Sequence, residues 1–231
     1  MARAVSSAEV TPREIIGAAG NRVRVTDFFG NLQDAQASPQ AFLVRYDRDG
    51  TIRPHFHKVD QYQVVVEGGG TLGKHSLSPV VVHYTDGFTP YGPIHAGAEG
   101  LAFFTLRVRP DVGAFFMPGS GDRMERKAGR TFSVRVEANG HGGDATETLR
   151  APDASGLGAF RLRLAPGASA TGPSPRESGG QYYVVAGGAV TCEGRPLPRL
   201  SLVHVAPGDA APRVTAGPEG ADVLVLQYPR G

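Results

Sequence analysis

A repeat constrains this chain more than any other feature. Gln61-Tyr62-Gln63-Val64-Val65-Val66-Glu67-Gly68 returns as Gln181-Tyr182-Tyr183-Val184-Val185-Ala186-Gly187-Gly188, with five of eight positions identical at an offset of 120 residues. The same offset superposes Ala96-Gly97-Ala98-Glu99-Gly100 on Ala216-Gly217-Pro218-Glu219-Gly220. Val82-His83 matches Val203-His204 at an offset of 121, and Ala41-Phe42 matches Ala159-Phe160 at 118. A fixed spacing with small slips between the matches marks a duplicated module. The expected division is an N-terminal extension over 1–19, a first module over 20–115, a connector over 116–130 and a second module over 131–231.

Each module reads as short strands. Phe42 to Tyr46, Tyr62 to Val66, Val80 to Tyr84 and Phe103 to Val108 are rich in β-branched and aromatic residues. Asp47-Arg48-Asp49-Gly50, Gly68-Gly69-Gly70, Asp86-Gly87 and Pro90-Tyr91-Gly92 punctuate them. With 32 glycines and 18 prolines in 231 residues, few long helices can form. The expected class is therefore all-β, a sandwich or barrel. One short helix is expected over Pro12 to Ala18, where Thr11 offers an N-cap, Pro12 the first helical position and Gly20 a stop.

Several partners are excluded as expectations. A net charge of +2 is too balanced to announce nucleic acid or an anionic membrane. No run of eighteen apolar residues predicts a membrane-spanning helix, and Met1 to Val10 carries no signal-type apolar stretch. The lone Cys192 allows no internal disulfide and no Cys-based zinc site, so the expected compartment is the cytoplasm. Cys192 lacks an evident base and reads as buried and inert.

Five of the seven histidines fall between positions 55 and 95. His55 and His57 are two apart, so on a strand they share a face. Gln61 begins the next strand, and His95 follows the Pro90-Tyr91-Gly92 turn. Three imidazoles and one amide carbonyl can converge on a divalent metal, and imidazole suits Zn, Cu, Fe and Ni, with oxygen widening the range toward Mn.

His55-x-His57-x3-Gln61-x6-Gly68 resembles the first motif of the cupin superfamily, and Pro90-x-Gly92-x2-His95 resembles the second. The resemblance implies two tandem jelly-roll barrels, a bicupin, with His55, His57, Gln61 and His95 in the metal-ligand positions. It also implies a small-molecule substrate and a homodimer. The usual glutamate is Gln61 here, which leaves a bound metal its full charge and makes it a stronger Lewis acid. The leading glycine of the first motif is Gly50, one residue closer than usual. In the second motif Tyr84 and Glu99 replace the leading glycine and closing asparagine.

Carrying the 120-residue offset across, His55 becomes Pro175, His57 becomes Glu177 and His95 becomes Thr215, while Gln61 stays Gln181. The second module is expected to lack the metal. Around the first site, alternation places Arg53 on the face of His55 and His57, where a guanidinium suits a carboxylate or enolate. Gln63, Tyr84 and Tyr91 are candidates for proton relay or hydrogen bonding, the tyrosines near the mouth. His83 and His204 read as equivalent structural residues, and His75 and His141 as solvated turn residues.

Two signals are set aside. Gly68-x-Gly70-x2-Gly73 resembles a dinucleotide turn, but no helix follows it. Arg123 to Arg130 is basic without interleaved aromatics and reads as a solvated connector. The resemblance implies a metal-dependent enzyme acting on a small oxygen-bearing substrate, a dioxygenase first. A redox-neutral lyase, isomerase or cyclase, or a non-catalytic binding bicupin, are the alternatives.

Overall fold

Glycine turns and β-branched runs produce an almost entirely β chain. The computed structural model describes residues 1–17, 20–125, 127–137 and 145–231. His141, expected in a turn, lies outside them, as do Ala18 and Arg126. The chain forms two units: Thr11–Glu137, and Met1–Val10 together with Ala138–Gly231. The division differs from the expected one at both seams. The first strand, β1 (Arg3–Val5), belongs to the C-terminal unit, where it pairs with the strand carrying His204.

The N-terminal unit holds β2 (Arg13–Ile16), β3 (Arg22–Phe29), β4 (Gln40–Tyr46), β5 (Thr51–Ile52), β6 (His55–Phe56), β7 (Gln61–Leu72), β8 (His75–Leu77), β9 (Val81–Thr85), β10 (Ile94–Arg107), β11 (Phe115–Phe116) and β12 (Thr131–Arg135). Nine strands form one antiparallel sheet in the order β12-β9-β7-β10-β4-β3-β2, with β5 on β10 and β8 on β7. β6 and β11 form a separate ribbon. One face of the sheet wraps a core of Val23, Phe42, Val65, Leu77, Ile94 and Phe103 with their neighbours. β12 shows that the segment opening at Thr131 completes the N-terminal sheet rather than the second module.

The expected helix over Pro12 to Ala18 is not formed; Arg13–Ile16 is a strand antiparallel to β3. The cap signals at Thr11 and Pro12 are local, whereas Ile15 packs on the core and its β-branched neighbour Ile16 turns outward. That alternation belongs to a strand, and pairing with β3 decides the outcome. Upstream, Ser7–Glu9 makes a single 3-10 turn capped by Ser6.

The C-terminal unit repeats the plan. It adds β13 (Ala145–Arg150), β14 (Gly158–Leu164), β15 (Ser169–Thr171), β16 (Gln181–Cys192), β17 (Arg195–Pro198), β18 (Leu202–Val205) and β19 (Arg213–Gln227). Their sheet runs β1-β18-β16-β19-β14-β13. The repeated glycines have a common cause. Gly68 and Gly188 have φ of 68° and 63°, and a Cβ on either would collide with the carbonyl of Gly100 or Gly220 where the two long strands cross at an irregular register. Only glycine permits both the positive φ and the close approach. The Gly68 to Gly73 segment is strand and hairpin turn, with no helix to receive a phosphate.

Candidate ligand site of the N-terminal unit

Strand alternation puts His55, His57, Gln61, Gln63 and Tyr91 around one interior. The His55 and His57 rings meet edge-on at 5.2 Å, and both are buried. Gln61 opens β7 and is fully buried. Tyr91 is expected at the mouth but sits among them, its ring 4.5 Å from that of His55.

The hydrogen bonds fix where the protons lie. His55 Nδ1 is 2.8 Å from the Arg53 carbonyl, which can only accept, so Nδ1 carries the proton. His55 Nε2 therefore accepts from the Tyr91 hydroxyl, also at 2.8 Å. That hydroxyl in turn accepts from Gln61 Nε2–H at 2.5 Å. His57 Nδ1 donates to the Asp111 carboxylate at 2.7 Å.

The centre of the cluster is Arg107, at the end of β10. It donates from Nε and Nη2 to Gln61 Oε1 at 3.1 and 3.0 Å, and from Nη1 to Gln40 Oε1 at 2.6 Å. Its Nη2 lies 3.3 Å from His57 Nε2, and its Nη1 is ion-paired with Asp111 at 3.1 Å. Arg107 and Asp111 were not picked out from the sequence. The available signal was the repeat: Arg107 and Gln227 are polar residues at the 120-residue offset, each ending a buried and mainly apolar run.

The surroundings hold every titratable group near the floor in its uncharged form, apart from the Arg107–Asp111 pair. Burial, then the Arg107 charge, pushes His57 down to about 4. Burial also lowers His55 and raises the Tyr91 hydroxyl. Burial alone would raise Asp111, but the hydrogen bond from His57 and the Arg107 charge outweigh it and hold the carboxylate ionised. Asp111 Oδ1 is buried without a hydrogen-bond partner among the described residues.

His95 is not part of this cluster, which corrects the four-ligand expectation. Ile94 and Ala96 face the core, so the intervening His95 faces out and is exposed. Its Nδ1 is hydrogen-bonded to Thr51 Oγ1 at 3.0 Å across the β5–β10 pair. The C-terminal unit does the same with other residues: Val214 and Ala216 face in, and Thr215 bonds Ser169 at 2.8 Å.

Tyr84 is also outside the cluster. In the β7–β9 register Tyr84 opposes Tyr62, while His83 opposes Gln63. Tyr84 therefore lies on the other face, stacked with Phe132 and donating to Asp86 at 2.6 Å. In the C-terminal unit Tyr183 opposes Val203 and Tyr182 opposes His204. His204 thus stands where Tyr84 stands, and Val203 where His83 stands, so the two histidines are not equivalent. His83 belongs to the N-terminal interior. Its ring lies 5.7 Å from Tyr91, its Nδ1 contacts Ser133 Oγ at 2.9 Å, and burial lowers it to about 4.

A cavity of about 300 Å³ opens above the cluster, between β2, β4, β10 and the β6–β11 ribbon. Its walls are apolar and aromatic, among them Val23, Phe42, Val44 and Phe103. His55, His57, Gln63, Tyr91, Thr105 and Arg107 are among its polar lining residues, and Arg53 and Phe116 also border it. The volume holds about ten waters and lies at the small end of ligand pockets.

The residues do not fit a bound metal in this arrangement. Among the described residues no three His, Cys, Asp or Glu side chains are grouped to hold one. Two of the expected ligand atoms already face a protein hydrogen, His55 Nε2 from Tyr91 and Gln61 Oε1 from Arg107, and Arg107 Nη2 lies 3.2 and 3.3 Å from the two ring nitrogens of His57, whereas His83 Nε2 and Asp111 Oδ1 are buried without a partner among the described residues. A guanidinium at the point of convergence also opposes a dipositive ion. Gln61 uses both ends of its amide, donating to Tyr91 and accepting from Arg107, which an ionised glutamate could not do.

Among the described residues the C-terminal unit has no counterpart of the cluster. Glu177 is exposed and paired with Arg230, and Pro175 opens a 3-10 turn. Gln181 donates to Gln227 at 2.8 Å, and Gln227 donates to the Gly156 carbonyl at 2.7 Å. Cys192 is buried in the core, and burial pushes its thiol up to about 11.

No protein-family model and no curated protein matches the sequence. Solved structures do match over nearly the whole chain. A Nostoc punctiforme protein provisionally assigned as a dioxygenase gives a TM-score of 0.71 at 11% identity, covering 99% of this chain and 83% of that one. The Escherichia coli pirin YhhW, in complex with nickel(II), gives 0.63 at 13% identity, covering both chains completely. The Lactobacillus farciminis oxalate decarboxylase, as a formate complex, gives 0.64 at 9% identity, covering 98% of this chain and 86% of that one. Identities this low speak for architecture alone, and on that ground the chain has a cupin-type fold.

Proposed function

We propose that the chain is a bicupin whose N-terminal unit binds a small organic molecule without a metal. The cavity is the binding site, and the Tyr91–Gln61–Arg107 network is its fixed polar floor. The observation that carries this reading is the double use of the Gln61 amide, which ties Tyr91 to Arg107 while Tyr91 caps His55 Nε2. Acid–base chemistry near neutral pH needs a group whose pKa lies near 7. His57 and His83 are held near 4, and burial raises Tyr91. The buried, hydrogen-bonded floor is suited to positioning a ligand. Gln63 and Thr105 border the cavity with no side-chain hydrogen bond among the described residues, and they supply the direct polar contacts.

A second reading, a metal-dependent enzyme of the dioxygenase or lyase kind, is favoured by one observation. His55, His57 and Gln61, three of the four ligand-type residues, do share one buried cluster. Metal analysis of protein purified without a polyhistidine tag separates the two. Binding without a metal predicts well under one equivalent of Fe, Ni, Cu, Mn or Zn, before and after incubation with each ion. About one equivalent, lost in a His55→Ala/His57→Ala double variant, would overturn the metal-free reading.

A further inference from the structure

Charge around the cavity is one-sided. Among the described residues no carboxylate lines it, whereas two guanidinium groups do. Arg107 at the floor is ion-paired with Asp111 and hydrogen-bonded to Gln40 and Gln61. Arg53 has a different setting. It is exposed, has no carboxylate partner among the described residues, and lies 4.8 Å over the Phe116 ring. Stacking on an aromatic face orients a guanidinium while its edge can still meet a carboxylate with two parallel hydrogen bonds.

Among the described residues Arg53 is therefore the one charge on the cavity lining without a counter-charge, while the other polar lining apart from the Arg107–Asp111 pair is neutral amide, hydroxyl and imidazole.

We propose that the ligand is an organic monoanion with a flat apolar body. The body lies against Phe42, Val44 and Phe103, and the carboxylate remains at Arg53. The assignment rests on the cavity being a ligand site, and it adds the ligand's charge and its orientation.

Paired probes test it: 2-naphthoate and its neutral isostere 2-naphthamide, titrated into the full chain. The chain has no tryptophan, so naphthalene emission is read without an indole background. One charge-assisted contact predicts about tenfold tighter binding of naphthoate than of naphthamide. Arg53→Gln brings the two affinities together, mainly by weakening naphthoate, and Arg53→Lys restores part of the difference. Arg53 is exposed, so these variants should fold as the parent does. Equal affinities in the parent chain would overturn the anion assignment and leave the cavity as a ligand site. A naphthoate preference unchanged by Arg53→Gln would overturn the role of Arg53. Failure of both probes to bind at millimolar concentration would overturn the anion assignment and the cavity reading together.

Discussion

The two units solve one backbone problem in the same way and one side-chain problem in opposite ways. Both cross their long strands at a glycine pair, Gly68 with Gly100 and Gly188 with Gly220. Both open the central strand with a fully buried glutamine, Gln61 or Gln181. They part at the residue facing that glutamine. The C-terminal unit places Gln227 there, and one amide bonds the other. The N-terminal unit places Arg107 there. A buried charge needs a counter-charge and a full set of acceptors. Asp111, Gln40, His57 and Gln61 meet that need around Arg107, whereas the strand residue opposite Gln227 is Gly158. The polar floor under the cavity thus follows from one residue and the partners it requires.

Exchanging that residue should give the largest effect. Arg107→Gln puts the C-terminal solution into the N-terminal unit and leaves Asp111 buried without its cation. Removing one partner of a buried pair costs about 3–5 kcal/mol. Urea denaturation should show that loss, and Arg107→Gln/Asp111→Asn should lose less than the single variant. The reverse exchange, Gln227→Arg, buries a cation opposite Gly158 in place of the Gln40 acceptor that Arg107 has, and should also be strongly destabilising. A cost below about 1 kcal/mol for Arg107→Gln, the value of an ordinary hydrogen bond, would break the comparison.

Acid should separate the units next. Burial lowers His55, His57 and His83 in the N-terminal unit and His204 in the C-terminal unit, with His57, His83 and His204 each at about 4. Between the unfolded value near 6.5 and that folded value, the unfolded chain binds more protons. Stability is therefore greatest above about pH 6.5 and falls as the pH drops toward 4, by up to about 3 kcal/mol per histidine. Among the described residues three histidines lowered by burial, two of them to about 4, against one predict that hydrogen-exchange protection at pH 5 falls more in 11–137 than in 145–231. Equal loss in both would mean that the cluster histidines carry no more of the acid response than His204.

What the sequence disclosed follows from what periodicity can carry. The repeat, the β class and the burial of His55, His57 and Gln61 are written in short-range pattern. The strand at Arg13–Ile16 was hidden because helix-capping signals at Thr11 and Pro12 are local, whereas pairing with β3 is not. Register decided the equivalence of His83 and His204, and a one-residue slip moves a side chain to the opposite face of a sheet. Arg107 and Asp111 lie 46 and 50 residues beyond Gln61, too far for motif spacing to join them. Only the offset linking Arg107 to Gln227 pointed to the position.

His95 gives the sharpest small test, because motif spacing and strand alternation place it differently. Spacing after Gly92 would turn its ring toward His55 and His57. Alternation between Ile94 and Ala96 turns it out to Thr51, as Thr215 turns out to Ser169 in the other unit. An exposed cross-strand pair of this kind is worth about 0.2–1 kcal/mol. His95→Ala and Thr215→Ala should therefore change stability by similarly small amounts and leave naphthoate affinity unchanged. If His95→Ala alone weakened the ligand about tenfold or more, equivalent to about 1.4 kcal/mol, His95 would have to reach the interior. The two units would then differ in strand register as well as in the residue facing the buried glutamine.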